Sequence, residues 1–100
     1  MIDLSTHHLE IVLQILDQHV PHSEVRVFGS RHKGTTKSYS DLDLVIVGES
    51  KLDHKTLGDL KEAFERSTLP FRVDLLDWHT ISPEFKQVID QGYTTLKKEN

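Results

Sequence analysis

Cysteine is missing from this 100-residue chain, which excludes a disulfide framework, a thiolate nucleophile and a Cys-based zinc site. An excess of positive charge is missing as well: 12 Lys and Arg stand against 16 Asp and Glu, for a formal charge of -4 and a pI near 5.9. Without a broad basic field, non-specific binding to nucleic acid is not expected as the main activity. No apolar run is long enough to span a bilayer, so no membrane partner is expected. The N-terminus has no basic flank leading into an apolar core, and the expectation is no signal peptide and a cytoplasmic location. Repeats and low-complexity linkers are also lacking. The chain has only 3 prolines, and each falls where one element gives way to another.

What is present suits a folded globular protein: 36% hydrophobic and 28% charged residues. The length allows one domain over residues 1–100 and leaves no room for a second module. Leu9, Val12, Leu13, Leu16 and Val20 recur at three- and four-residue steps, predicting a helix over about 5–19 with Ser5 or Thr6 as N-cap and Pro21 as its stop. Glu24 to Phe28 alternates and predicts a strand that ends in a sharp turn at Gly29-Ser30. Arg31 to Ser40 is polar and reads as a short helical turn plus an exposed loop. Asp41 to Val47 is a second strand whose apolar lower half, Leu44 to Val47, places it at the centre of a sheet. Asp53 caps a predicted helix over about 54–67 that buries Leu57, Leu60 and Phe64 and is slightly weakened by Gly58. Phe71 to Asp77 forms a third strand. Ser82 and Pro83 open a last helix carrying Phe85, Val88 and Ile89, with Gly92 past its end and a frayed tail from Lys97. The expected fold is α/β (α+β): a small mixed three-stranded sheet with helices packed on it, in the order α-β-(α)-β-α-β-α.

The chemistry concentrates between the first two strands. Asp41 and Asp43 stand two positions apart, so they share a strand face roughly 6 to 7 Å apart and can share metal ions. Mg²⁺ takes hard oxygen ligands and is commonly held by one or two carboxylates together with substrate phosphates. Asp74 sits in an apolar alternation on the third strand, where a carboxylate needs a reason. On the same sheet face as the other two, it would complete a three-carboxylate, two-metal site with ions about 4 Å apart. Backbone N–H groups after Gly29 and the Ser30 hydroxyl would point at phosphate oxygens, with Arg31 and Lys33 adding charge-assisted contacts and Gly34 turning the loop away.

Gly29-Ser30-Arg31, Gly34, Ser40-Asp41-Leu42-Asp43-Leu44 and Val73-Asp74-Leu75 together resemble the minimal nucleotidyltransferases of the DNA polymerase β superfamily, over nearly the whole chain. The resemblance implies that Asp41, Asp43 and Asp74 are the metal-binding catalytic carboxylates and that Gly29 and Ser30 hold the nucleoside triphosphate. It further implies an all-helical HEPN-type partner, with this chain as antitoxin of a toxin–antitoxin pair moving AMP from ATP onto a hydroxyl, typically a tyrosine, of the toxin. His32-Lys33 departs from the small residue and Arg that relatives often carry there.

Other readings compete. Asp-Leu-Asp alone usually marks a solvated strand edge, and neither an EF-hand nor a P-loop pattern is met. Asp77 is the weaker third ligand, being three positions after Asp74 and hence on the opposite face. Arg72 shares a face with Asp74 and is expected to pair with it or to touch a phosphate. Phe71 and Trp78 are expected to pack in the core, and the seven histidines are scattered. The alternative functions are a non-catalytic antitoxin that neutralises its partner by binding, and a small-molecule (antibiotic) nucleotidyltransferase. A chain this short invites a partner that completes the site, either a second protein or a second copy in a homo-oligomer.

Overall fold

The computed structural model describes residues 4–29, 31 and 40–98. Helix α1 (Thr6–His19) opens where the Ser5 hydroxyl accepts the His8 N–H, and it closes at Val20 just before Pro21. Strand β1 (Glu24–Phe28) and strand β2 (Leu42–Val47) run antiparallel. Helix α2 (His54–Arg66) starts where the Asp53 carboxylate accepts the Thr56 N–H at 2.6 Å, and it carries the chain to strand β3 (Val73–Asp77), parallel to β2. A parallel neighbour requires such a crossover, because no tight turn can return the chain to the same end of the sheet.

A 3₁₀ turn (Trp78–Thr80) follows, then helix α3 (Pro83–Asp90), whose N-cap Ser82 accepts the Phe85 N–H. The chain then returns to the sheet as strand β4 (Thr94–Lys97), antiparallel to β1. The strand order is β3-β2-β1-β4, so the sheet is mixed, as expected, but among the described residues it has four strands and not three.

The fourth strand corrects the frayed tail. Lys97 is fixed by its ammonium, which donates to the carbonyls of Ser23 at 2.6 Å and Pro21 at 3.3 Å. Strand β3 is shorter than the expected Phe71 to Asp77, because its ladder with β2 begins at the pair Leu42 and Val73. Val88, expected on the apolar face of α3, is exposed, while Ile89 beside it is fully buried.

Alternation divides the sheet into two faces. Val25 and Val27 of β1, Leu42, Leu44 and Ile46 of β2 and Leu75 of β3 form the main core with Val12 and Leu16 of α1 and Leu60 and Phe64 of α2. Each fully buried Leu or Ile there contributes about 1.5–3 kcal/mol of transfer free energy. The residues between them face the other way: Arg26 and Phe28, Asp43 and Val45, Asp74 and Leu76. On this second face α3 and the 3₁₀ turn cover part of the sheet. Phe85 meets Phe28 edge to face at 5.8 Å, and Arg26 lies over both Trp78 and Tyr93 while pairing with Glu24 and, more loosely, Asp90. The rest of that face holds the carboxylates.

Candidate active site

Two carboxylates are paired by the backbone itself. Asp43 and Asp74 are direct partners in the parallel ladder of β2 and β3, so their side chains leave the same face side by side. Asp41 stands just before β2. The strand-parity expectation that favoured Asp74 over Asp77 matches this placement. Asp77 points to the main-core side and is buried, where its oxygens accept the N–H groups of Leu52 at 2.8 Å and His79 at 3.0 Å. Those two bonds meet the cost of burying the carboxylate and leave Asp77 a structural tie between the β2–α2 loop and the 3₁₀ turn.

Arg72 binds the cluster from its rim. Its Nη2 donates to Asp41 Oδ2 at 3.0 Å and to Asp74 Oδ2 at 3.3 Å, and its Nε lies 3.2 Å from Asp74 Oδ1. These two aspartates raise the Arg72 pKa. Asp43 is outside this clasp. Burial first, then the charges of Asp74 and Asp41, raise its carboxyl above the ordinary range, with Arg72 offsetting part of the effect.

The glycine turn shapes the other side. Gly29 follows β1 directly and adopts φ 77°, the left-handed region that glycine enters without a steric penalty. A β-carbon there would overlap Asp43 Oδ2 and crowd its carboxylate carbon. Ser30, His32, Lys33 and Gly34, the rest of the expected phosphate cradle, lie outside the described residues. Arg31 is buried, donates to the Ser40 carbonyl at 2.7 and 3.3 Å, and stacks its guanidinium 4.4 Å above the Phe71 ring. It therefore anchors the residue that delivers Asp41. Sequence reasoning gave Arg31 only a phosphate role. The residues that signal the anchor, Ser40 and Phe71, are separated from it in sequence and speak only through tertiary contact.

A cleft of about 670 Å³ wraps around β3 beside these groups. Asp43, Arg72 and Asp74 line it together with Phe28, Phe64, Phe71 and Phe85, so a charged corner meets aromatic walls.

The residues fit a divalent cation. The donor set is hard oxygen, Gly29 leaves room against Asp43, and a guanidinium already stands in as the counter-charge of Asp41 and Asp74. Among the described residues, however, no three Asp, Glu or His side chains are gathered closely enough to form a finished ligand cage. The expected convergence is thus only partly met: two carboxylates are side by side and the third is reached through Arg72. Nor is any helix among the described residues long and apolar enough to cross a membrane.

The nucleotidyltransferase domain model matches residues 9–97. The chain belongs to the nucleotidyltransferase domain family. A relative from Haemophilus influenzae, the probable protein adenylyltransferase MntA, is 48% identical over 98 residues, covering 98% of this chain and 86% of that protein. Among solved structures, a chain of a toxin–antitoxin crystallised with AMP-PNP matches with a TM-score of 0.76 at 24% identity, over 92% of this chain and 74% of that one. A chain from the complex of a tri-AMPylated Shewanella oneidensis HEPN toxin with its MNT antitoxin matches with a TM-score of 0.70 at 21% identity, over 95% and 73% of the two chains. At such identities these structures speak for the fold.

Proposed function

We propose that this chain is a protein adenylyltransferase that moves AMP from ATP onto a hydroxyl of a HEPN-type partner protein, and that it serves as the antitoxin of that pair. One nucleotidyltransferase domain, residues 1–100, carries the activity, and the cytoplasm is where it acts. The observation that carries the reading is the ladder pair Asp43 and Asp74, with Asp41 beside it and the left-handed Gly29 against it. Family membership and the 48% identical relative support the reaction class. The toxin–antitoxin neighbours support the kind of partner.

In the transfer, the acceptor hydroxyl forms a bond to the α-phosphorus as the bond to the bridging oxygen breaks, and pyrophosphate leaves. Asp41, Asp43 and Asp74 would hold Mg²⁺, which supplies Lewis-acid stabilisation of the phosphoryl oxygens and of the leaving group. Gly29 lets the backbone approach the phosphates without a side chain of its own in the way. In this reading Asp74, on the cleft wall, takes the proton of the entering hydroxyl. The phenylalanines that line the cleft suit an aromatic acceptor such as tyrosine. Positioning and fixed charge supply most of the rate, since phosphoryl transfer leaves little covalent work to the protein.

The test is label transfer onto the co-purified HEPN-type partner, comparing ATP labelled at the α-phosphate with ATP labelled at the γ-phosphate, for wild type and Asp43→Asn. Transfer of α-label alone, lost in the variant, is the expected result. Neutralisation of the partner without any α-label on it would mean that the chain works by binding only.

A further inference from the structure

Arg72 presents an arrangement that the transfer reaction does not by itself require. Its guanidinium lies between Asp41 and Asp74 and contacts both, although the three carboxylates of the cluster are the groups expected to meet a metal ion. We propose that Arg72 is an exchangeable internal counter-ion: it occupies the space between Asp41 and Asp74 while the site is free of metal, and it is displaced when a divalent cation binds. The exchange presupposes the reading of the three carboxylates given above.

Three features of the structure carry this. First, the clasp is shallow. The Arg72 side chain is 72% exposed and those of Asp41 and Asp74 are 41% and 42% exposed, so solvent screens the pairs and their release costs little. Second, the charge is under-balanced among the described residues. One guanidinium contacts Asp41 and Asp74, and it makes no bond to Asp43, the ladder partner of Asp74 on the same face. A divalent ion brings twice the charge in a smaller volume and can bind oxygens that Arg72 leaves unmet. Third, the fork is built to hold two partners. Nη2 reaches both aspartates and Nε adds a second contact to Asp74, a geometry that a lysine ammonium does not reproduce. The arginine thus keeps like charges from driving the strand ends apart before the metal arrives. Its main chain stays in place throughout, because the Arg72 carbonyl accepts the Leu42 N–H at 2.9 Å and extends the ladder of β2 and β3.

A competitor inside the protein weakens apparent metal affinity by the fraction of time it holds the site. Arg72 is accordingly a positioning residue whose removal strengthens metal binding. A residue that merely oriented the carboxylates would give the opposite sign.

The experiment is a Mn²⁺ titration followed by electron paramagnetic resonance, without nucleotide or partner, on wild type, Arg72→Gln, Arg72→Lys and Asp43→Asn, with circular dichroism to confirm folding. Arg72→Gln is expected to bind Mn²⁺ about three- to tenfold more tightly than wild type, and Arg72→Lys to fall between them. Binding by Arg72→Gln where wild type shows none would also support the exchange. Wild-type binding that is unchanged or weakened in Arg72→Gln would overturn it while leaving the carboxylate assignment standing. Absence of binding in both, or binding untouched by Asp43→Asn, would overturn the exchange and the metal reading together.

Discussion

Gly29 and Asp43 are packed against each other: a β-carbon on the glycine would overlap the carboxylate oxygen Oδ2. Phe28 pairs with Asp43 across the antiparallel ladder, and the next residue turns back over that carboxylate with φ 77°. The turn that would receive phosphate and the carboxylate that would receive a cation are therefore set against each other by a missing side chain.

Gly29→Ala should suffer twice. An L-residue held in the left-handed region costs about 1–2 kcal/mol, and the new methyl must also push Asp43 aside. The melting temperature is expected to fall by roughly 4–8 °C per kcal/mol lost. Transfer of α-label should drop by about 10²-fold, because a displacement near 1 Å at the reacting groups is enough for that. Near wild-type transfer would show that the close approach is not needed.

Asp43→Asn separates stability from function. Burial and the like charges of Asp74 and Asp41 raise the Asp43 carboxyl above its ordinary value of 3.8, so the folded chain holds the protonated form better than the unfolded chain does. That advantage is complete below the unfolded pKa and is lost as pH rises through the folded one, so the ionised group burdens the fold at neutral pH. In EDTA at about pH 7 the variant should melt above wild type, with the gap closing towards about pH 3, while transfer is abolished. A variant that melts lower at neutral pH would contradict this account of the charge cluster.

Asp74 and Asp77, three positions apart, should respond in opposite ways. Asp74→Asn leaves the ladder intact and should remove transfer with little change in melting temperature. Asp77→Asn keeps one acceptor oxygen where two N–H groups now bond, and losing one such bond at a buried site costs about 1–3 kcal/mol. Parallel melts and label-transfer assays on the two variants check the division, and loss of transfer only in Asp77→Asn would reverse the assignment.

Gly58→Ala offers a gain. A β-carbon at this position of α2 meets nothing within 4 Å. Replacing a helical glycine with alanine adds about 0.5–1 kcal/mol through backbone entropy. A raised melting temperature with unchanged transfer is expected.

The elements that could be read locally are those with local causes. Ser5 and Pro21 bracket α1, Asp53 and Ser82 mark helix starts, and the apolar run from Leu44 to Val47 marks a strand covered on both faces. Parity along β3 was enough to separate Asp74 from Asp77. Strand β4 was not legible, because Thr94-Thr95-Leu96-Lys97 carries one apolar residue and takes its order from pairing with β1 far back in the chain. The same limit hid the anchoring of Ser40 by Arg31 and the reach of Arg72 to Asp41. Each is a contact between segments whose approach is decided by the whole sheet.

The parallel ladder of β2 and β3 also acts as a gauge. Neighbouring strands are held about 4.8 Å apart by their backbone hydrogen bonds, whatever side chains they bear. Asp43 and Asp74 sit at matching rungs of that ladder, so the distance between their stems is copied from a dimension that side-chain substitution elsewhere hardly alters. The surroundings of the cluster are thereby free to diverge towards different acceptors while its spacing stays calibrated. A slip of one rung would send Asp74 to the opposite face and leave no intermediate setting.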